Sequence, residues 1–150
     1  MSAIPSVDLQ DFVSGDPDRK KKFTKEIGTA FEDIGFVALS GHFLSDGLVE
    51  KLYAEIKKFF ALPQEIKDKY EIEGIGGQRG YTSFGKEHAK GRKEGDLKEF
   101  WHFGQYVEND PVLASQYPDN VIVTELPEFN AVGRESFKML EKTAKNVLRA

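Results

Sequence analysis

Apolar residues return at helical spacing in three stretches of this 150-residue chain. Phe23, Ile27, Ala30, Phe31 and Ile34 mark an amphipathic helix running from Asp18, and Leu48, Leu52, Ile56, Phe59 and Phe60 mark a second. Phe129, Val132, Phe137, Leu140, Ala144, Val147 and Leu148 mark a long third helix that opens at Pro127. Ser45 is placed to cap the second helix, which stops near Ala61 because Pro63 lacks an amide hydrogen and crowds the turn before it. Pro63 then starts a short helix through Tyr70. Gly35 can end the first helix in the left-handed conformation, and Phe36-Val37-Ala38-Leu39 predicts a short buried strand behind it. Residues 4–9, IPSVDL, alternate weakly and predict an edge strand, followed by a turn at Ser14, Gly15, Asp16 and Pro17. Phe100-Trp101-His102-Phe103 reads as a strand, and residues 111–120 as a loop. Helices interleaved with short strands predict a mixed α/β (α+β) fold over residues 1–150, organised as one domain.

The stretch from residue 73 to 95 holds seven of the fourteen glycines and mixed charge, which predicts a long exposed loop with one strand at residues 81–84. Structureless loops of that length are uncommon unless they carry function. Nucleotide chemistry fails there on the residues themselves. Gly80 to Lys86 fits the start of a phosphate-binding loop, but Glu87 replaces the hydroxyl that would hold magnesium, and its charge repels phosphate. Arg79 stands where a dinucleotide fingerprint opened by Gly74 and Gly76 needs its third glycine.

Charge and composition narrow the classes further. The net charge of −4 opposes non-specific binding to nucleic acid or anionic lipid, and the basic run Arg19 to Lys22 reads as a solvated helix face. No apolar run nears the ~20 residues of a spanning helix, and the opening residues lack the pattern of a signal peptide, so a soluble, cytoplasmic protein is expected. With no cysteine there are no disulfides, thiolate metal sites or iron–sulfur clusters. A metal would need histidine and carboxylate ligands. The residues two after His42, His88 and His102 are Leu44, Lys90 and Gly104, so the His-x-Asp or His-x-Glu opening of a two-histidine, one-carboxylate iron site is missing. Glu99-x-x-His102 has the spacing of a di-iron half-site, but its aromatic neighbours belong to a strand and no second copy exists. No metal site is expected in this chain. His42 reads as structural at a strand end and His102 as a core or pocket residue, while Glu71 and Glu73 read as solvated loop carboxylates. No nucleophile triad is visible.

One constellation remains. Arg79, Tyr81 and Ser83 alternate, so a strand over residues 79–84 would place a guanidinium fork and two hydroxyls on one face, suited to gripping the carboxylate of a small-molecule substrate. The same residues also allow Arg79 in a surface ion pair and Tyr81 packed on the core. The last helix still places apolar residues on its inner face up to Ala150, with no C-terminal cap, which predicts a chain cut before its natural end.

Five segments in this order carry a resemblance: IPSVDLQDF at 4–12, DIGFVALSGHFL at 33–44, FFALPQEIKDKY at 59–70, RGYTSFGKEHAKG at 79–91 and DLKEFWHFG at 96–104. Together they resemble the N-terminal region of the isopenicillin N synthase-like iron(II)/2-oxoglutarate-dependent dioxygenases. Phe43 departs from the glycine that many members have after the histidine. The resemblance implies a segment that flanks a double-stranded β-helix, or jelly roll, whose core is largely absent from this chain. The family's iron ligands and its 2-oxoglutarate-binding Arg-x-Ser lie in that jelly roll, so neither cofactor is expected to bind these residues alone, and the chain alone is expected to be inactive. It also implies that Arg79-Gly80-Tyr81 is similar to a loop that in some relatives lines the substrate pocket. The partner is then the downstream jelly-roll half of the same protein. The alternative is a non-catalytic binding module derived from that family.

Overall fold

A computed structural model describes residues 4–87, 91 and 95–150. Its elements follow the order β1 (Ser6–Asp8), α1 (Leu9–Val13), α2 (Pro17–Asp33), β2 (Ala38–Ser40), α3 (Asp46–Phe60), α4 (Gln64–Lys67), a 3-10 turn (Asp68–Tyr70), β3 (Gly80–Thr82), β4 (Phe100–His102), α5 (Pro111–Ala114) and α6 (Pro127–Val147). This is the expected mixed class of helices and a few short strands. The chain divides into two compact units, one of Met1–Asp46 with Lys138–Ala150 and the other of Gly47–Phe137. Among the described residues no helix is long and apolar enough to cross a membrane.

In the first unit β1 and β2 pair in parallel, Val7 opposite Leu39. Asp8 caps α1 by accepting from the Gln10 amide, and Asp16 caps α2 by accepting from the Asp18 and Arg19 amides with Pro17 at the first helical position. Phe23, Ile27 and Ala30 then fall on one stripe of α2 and are buried with Val7, Leu9 and Phe12. Gly35, at φ +78°, ends that helix as the sequence predicts. The strand behind it is displaced. It covers Ala38–Ser40 instead of residues 36–39, and Phe36 is 68% exposed. Only β1 pairs with it among the described residues, so nothing buries both of its faces as the apolar run suggested. The short helix α1 was not expected from the sequence.

The second unit is built on rings. Phe59 of α3 is fully buried, with its centroid 4.7 Å from Trp101, 5.2 Å from Phe129 and 5.9 Å from Tyr81. β3 and β4 pair antiparallel with Gly80 opposite His102, Tyr81 opposite Trp101 and Thr82 opposite Phe100. Gly80 is required there twice over. Its φ is +75°, and a Cβ would stand 2.5 Å from the Tyr70 carbonyl oxygen. The expected helix from 63 to 70 is split, because after one α turn the chain tightens into the 3-10 turn that delivers Tyr70 to the core. The expected loop at 111–120 opens on the single turn α5, capped by Asp110.

Phe129 and Val132 of α6 are buried in the second unit, and Leu140 of α6 and Leu148 just beyond it, read from the sequence as inner-face positions, are exposed.

Candidate functional site

The three residues singled out in the sequence lie at or beside β3, and the structure gives each a different surrounding. The strand is shorter than expected, so Arg79 and Ser83 flank it and only Tyr81 is paired within it. Tyr81 is fully buried, as the core-packing alternative holds, and its hydroxyl is occupied: it donates to Glu99 Oε2 at 2.6 Å and accepts from Gln64 Nε2 at 3.1 Å. Ser83 donates to Glu71 Oε2 at 2.9 Å. Arg79 is only 8% exposed, which removes the surface-pair alternative, and no carboxylate among the described residues lies within ion-pair distance of it. Its Nη1 donates to the Gln78 carbonyl at 2.6 Å, and its Nε is buried with no partner.

A buried guanidinium with one hydrogen bond and no counter-charge among the described residues is costly, and a bound carboxylate is a group that would relieve it. Neither Tyr81 nor Ser83 has a donor to spare for such a ligand, since each proton is already committed.

Beneath this site runs a polar network. Lys67 Nζ lies 2.6 Å from Glu99 Oε2, the oxygen that also accepts from Tyr81, and the ammonium sits 5.4 Å from the Tyr81 ring centroid. Burial alone would lift the Glu99 carboxyl, but the hydrogen bonds from Lys67 and Tyr81 and the Lys67 charge outweigh it and hold the acid below the usual carboxylate range. Burial opposes the Lys67 charge, yet the bond to Glu99 and the surrounding charge raise it above the ordinary lysine value. Burial, together with donation to Glu99, pushes the Tyr81 phenol up. Every member is satisfied, so the network fixes α4, β3 and the approach to β4 as one polar layer. Nothing in the run Gln64 to Glu73, dense in charge, marks Lys67 as a buried residue; sequence reasoning missed it, and weighed Glu99 only against a di-iron half-site.

A cleft of about 470 Å³ opens beside β3, lined by Glu71, Glu73, Gly77, Tyr81, Thr82 and Phe100 among others, and neither Arg79 nor Ser83 reaches its wall. Asp68 and Glu87 add to its acidic lining against Lys86 alone, so it repels a carboxylate and is not the place where Arg79 would meet one.

The residues described here do not compose an iron centre. Among them no three histidine or acidic side chains converge to hold a metal ion. His42 is exposed, and so is His102, whose Nδ1 lies 2.6 Å from the Gly77 carbonyl, in place of the core or pocket role expected for it. His88 lies outside the described residues.

Residues 4–125 match the family model described as "non-haem dioxygenase in morphine synthesis N-terminal". The 2-oxoglutarate-dependent dioxygenase imqE of Aspergillus flavus is 41% identical over 85 residues, covering 56% of this chain and 23% of that protein. The 2-oxoglutarate-Fe(II) type oxidoreductase ppzD of Metarhizium rileyi is 27% identical over 98% of this chain and 44% of its own length. The crystal structure of a 2OG-Fe(II) oxygenase family protein from Caulobacter crescentus superimposes with a TM-score of 0.82 at 34% identity, over 99% of this chain and 47% of that one. The chain thus spans less than half the length of each of these relatives.

Proposed function

The chain belongs to the non-haem 2-oxoglutarate/iron(II) dioxygenases through their N-terminal domain, and from that membership we propose that it is the N-terminal segment of an oxygenase that hydroxylates, desaturates or cyclises a small organic molecule bearing a carboxylate. The segment supplies scaffold and one wall of the substrate pocket. Arg79 anchors the carboxylate, while Tyr81 and Ser83, their hydroxyls bonded to Glu99 and Glu71, hold the strand beside it. The observation that carries this reading is the Arg79 guanidinium, 8% exposed, with an unpartnered Nε and no ion-paired acid among the described residues. Iron(II) and 2-oxoglutarate belong to a jelly-roll half outside these residues, so no oxidative step is assigned to the side chains described here.

Two measurements test the proposal. The protein in continuity with that half should take up dioxygen only when both iron(II) and 2-oxoglutarate are supplied; loaded protein that shows no such uptake would contradict it. Calorimetry of the 150-residue chain with manganese, a redox-stable stand-in for iron, should give no stoichiometric site, and a micromolar one would place the metal in the wrong half.

A further inference from the structure

Arg79 lies against a glycine whose backbone conformation does not call for one. Gly104 is buried and is not among the residues with positive φ, so an alanine could adopt its backbone without strain. What forbids a side chain is Arg79 itself, since a Cβ on Gly104 would overlap the guanidinium Cζ, Nε and Nη1. The missing side chain is the seat of the charge.

That seat is held from the other side. Gly104 and Gln105 lie beyond the end of β4, where no strand pairs with them among the described residues. Asn120 takes the place of one. Its Oδ1 accepts from the Gly104 amide at 2.8 Å, and its Nδ2 donates to the Gly104 carbonyl at 3.1 Å and the Gln105 carbonyl at 3.3 Å. The orientation of the Asn120 amide is set by the backbone, because only its oxygen can face an N–H. One side chain therefore satisfies three main-chain groups and pins the glycine in place.

We propose that Gly104 and Asn120 are positioning residues for Arg79, the glycine vacating the volume the guanidinium fills and the asparagine fixing that glycine beneath it. Together they hold the guanidinium in one place, its Nε buried against Gly104 and without a partner. The inference rests on the reading of Arg79 as a carboxylate anchor. Because the atoms a new methyl would meet are the far end of a flexible side chain, Gly104→Ala should displace the guanidinium and keep the fold.

The test follows the Arg79 Nε–H by heteronuclear NMR in the 150-residue chain, with sodium benzoate as the carboxylate probe. Unaltered protein should show a slowly exchanging Nε–H that shifts on addition of benzoate. Gly104→Ala should move that signal, speed its exchange by about tenfold or more, and weaken benzoate by about tenfold, the worth of one charge-assisted bond. Asn120→Ala keeps the glycine and decides the matter if Gly104→Ala does not fold; it should show the same changes in smaller degree. A purely structural role would lower the melting temperature and leave the Nε–H where it was. If benzoate binds and both variants leave the Nε–H position, exchange and benzoate affinity unchanged, the positioning role is wrong and the anchor stands. If benzoate never moves the signal but Gly104→Ala still displaces it, the anchor falls and the positioning role stands.

Discussion

The two units of this chain solve burial in opposite ways. The first, Met1–Asp46 with Lys138–Ala150, carries nine basic and nine acidic residues, so the whole net charge of −4 resides in the second. Its core of Val7, Leu9, Phe12, Phe23 and Ile27 is wholly apolar, and polar groups such as the helix-capping Asp8 and Asp16 stay at the surface. The second unit packs rings around Phe59 but sinks Lys67, Glu55 and Arg79 among them, and it leaves buried polar atoms of Arg79, Thr82, Trp101 and Ser136 without partners. An apolar core asks only for volume and shape. A core with buried charge stays in debt until each charge finds its partner, and the one it leaves uncompensated is the place to look for a ligand.

The contrast can be attacked at several points, and the sole tryptophan, Trp101, lies in the second unit and reports on it alone. The largest effect should come from Phe59→Ala, which removes the ring at the centre of five aromatic contacts and should cost about 4 kcal/mol. Trp101 fluorescence should then lose its cooperative melt. Next is Lys67→Ala, which strands the Glu99 carboxylate and should cost about 3 kcal/mol, whereas exchanging Lys67 and Glu99 together for methionine and leucine should cost less. A double substitution as damaging as the single one would show that the charges themselves, not their pairing, hold the layer.

Acidity should separate the units more gently. The Glu99 carboxyl is held below its ordinary value in the folded chain, so the unfolded state binds its proton first as pH falls. Its contribution is complete above the unfolded value near 4.3 and is lost as pH drops through the lower folded one. For Lys67 the folded value is raised, so its contribution is complete below the unfolded value near 10.4 and fades as pH climbs through the folded one. Denaturant melts followed by Trp101 should weaken in both directions, and Glu99→Gln should flatten the acid limb. The smallest effect belongs to the first unit, where Arg19→Ala breaks a half-exposed pair with Asp11 and should cost at most about 1 kcal/mol without altering Trp101 emission.

What the sequence disclosed follows the same division. Phe23, Ile27 and Ala30 repeat at the period of a buried helical stripe, and Gly35 and Pro63 are punctuation whose meaning is local, so α2 and the ends of α2 and α3 were legible, though α1 was not. The apolar run at residues 36–39 misled because apolar character does not say how many neighbours a strand will have. In the second unit, alternation brought out Arg79, Tyr81 and Ser83, yet whether a hydroxyl is free or spent depends on Glu99 and Glu71, which lie 18 and 12 positions away respectively. Gly104 and Asn120 were beyond reach for the same reason, since a glycine emptied for a distant guanidinium looks like any other glycine. The family resemblance succeeded where spacing failed because it compares whole segments in order, and residues 4–125 match on that basis.

The most direct test of the central claim is Arg79→Ala in the chain joined to the proposed jelly-roll half, with turnover, iron content, 2-oxoglutarate affinity and melting temperature measured on the same preparation. A lost charge-assisted pair is worth about 1.5–3 kcal/mol, so kcat/KM should fall roughly tenfold to a hundredfold while both cofactors bind as before, and Arg79→Lys should recover only part of the loss. Turnover unchanged at full iron loading would contradict the assignment of Arg79 as the substrate anchor.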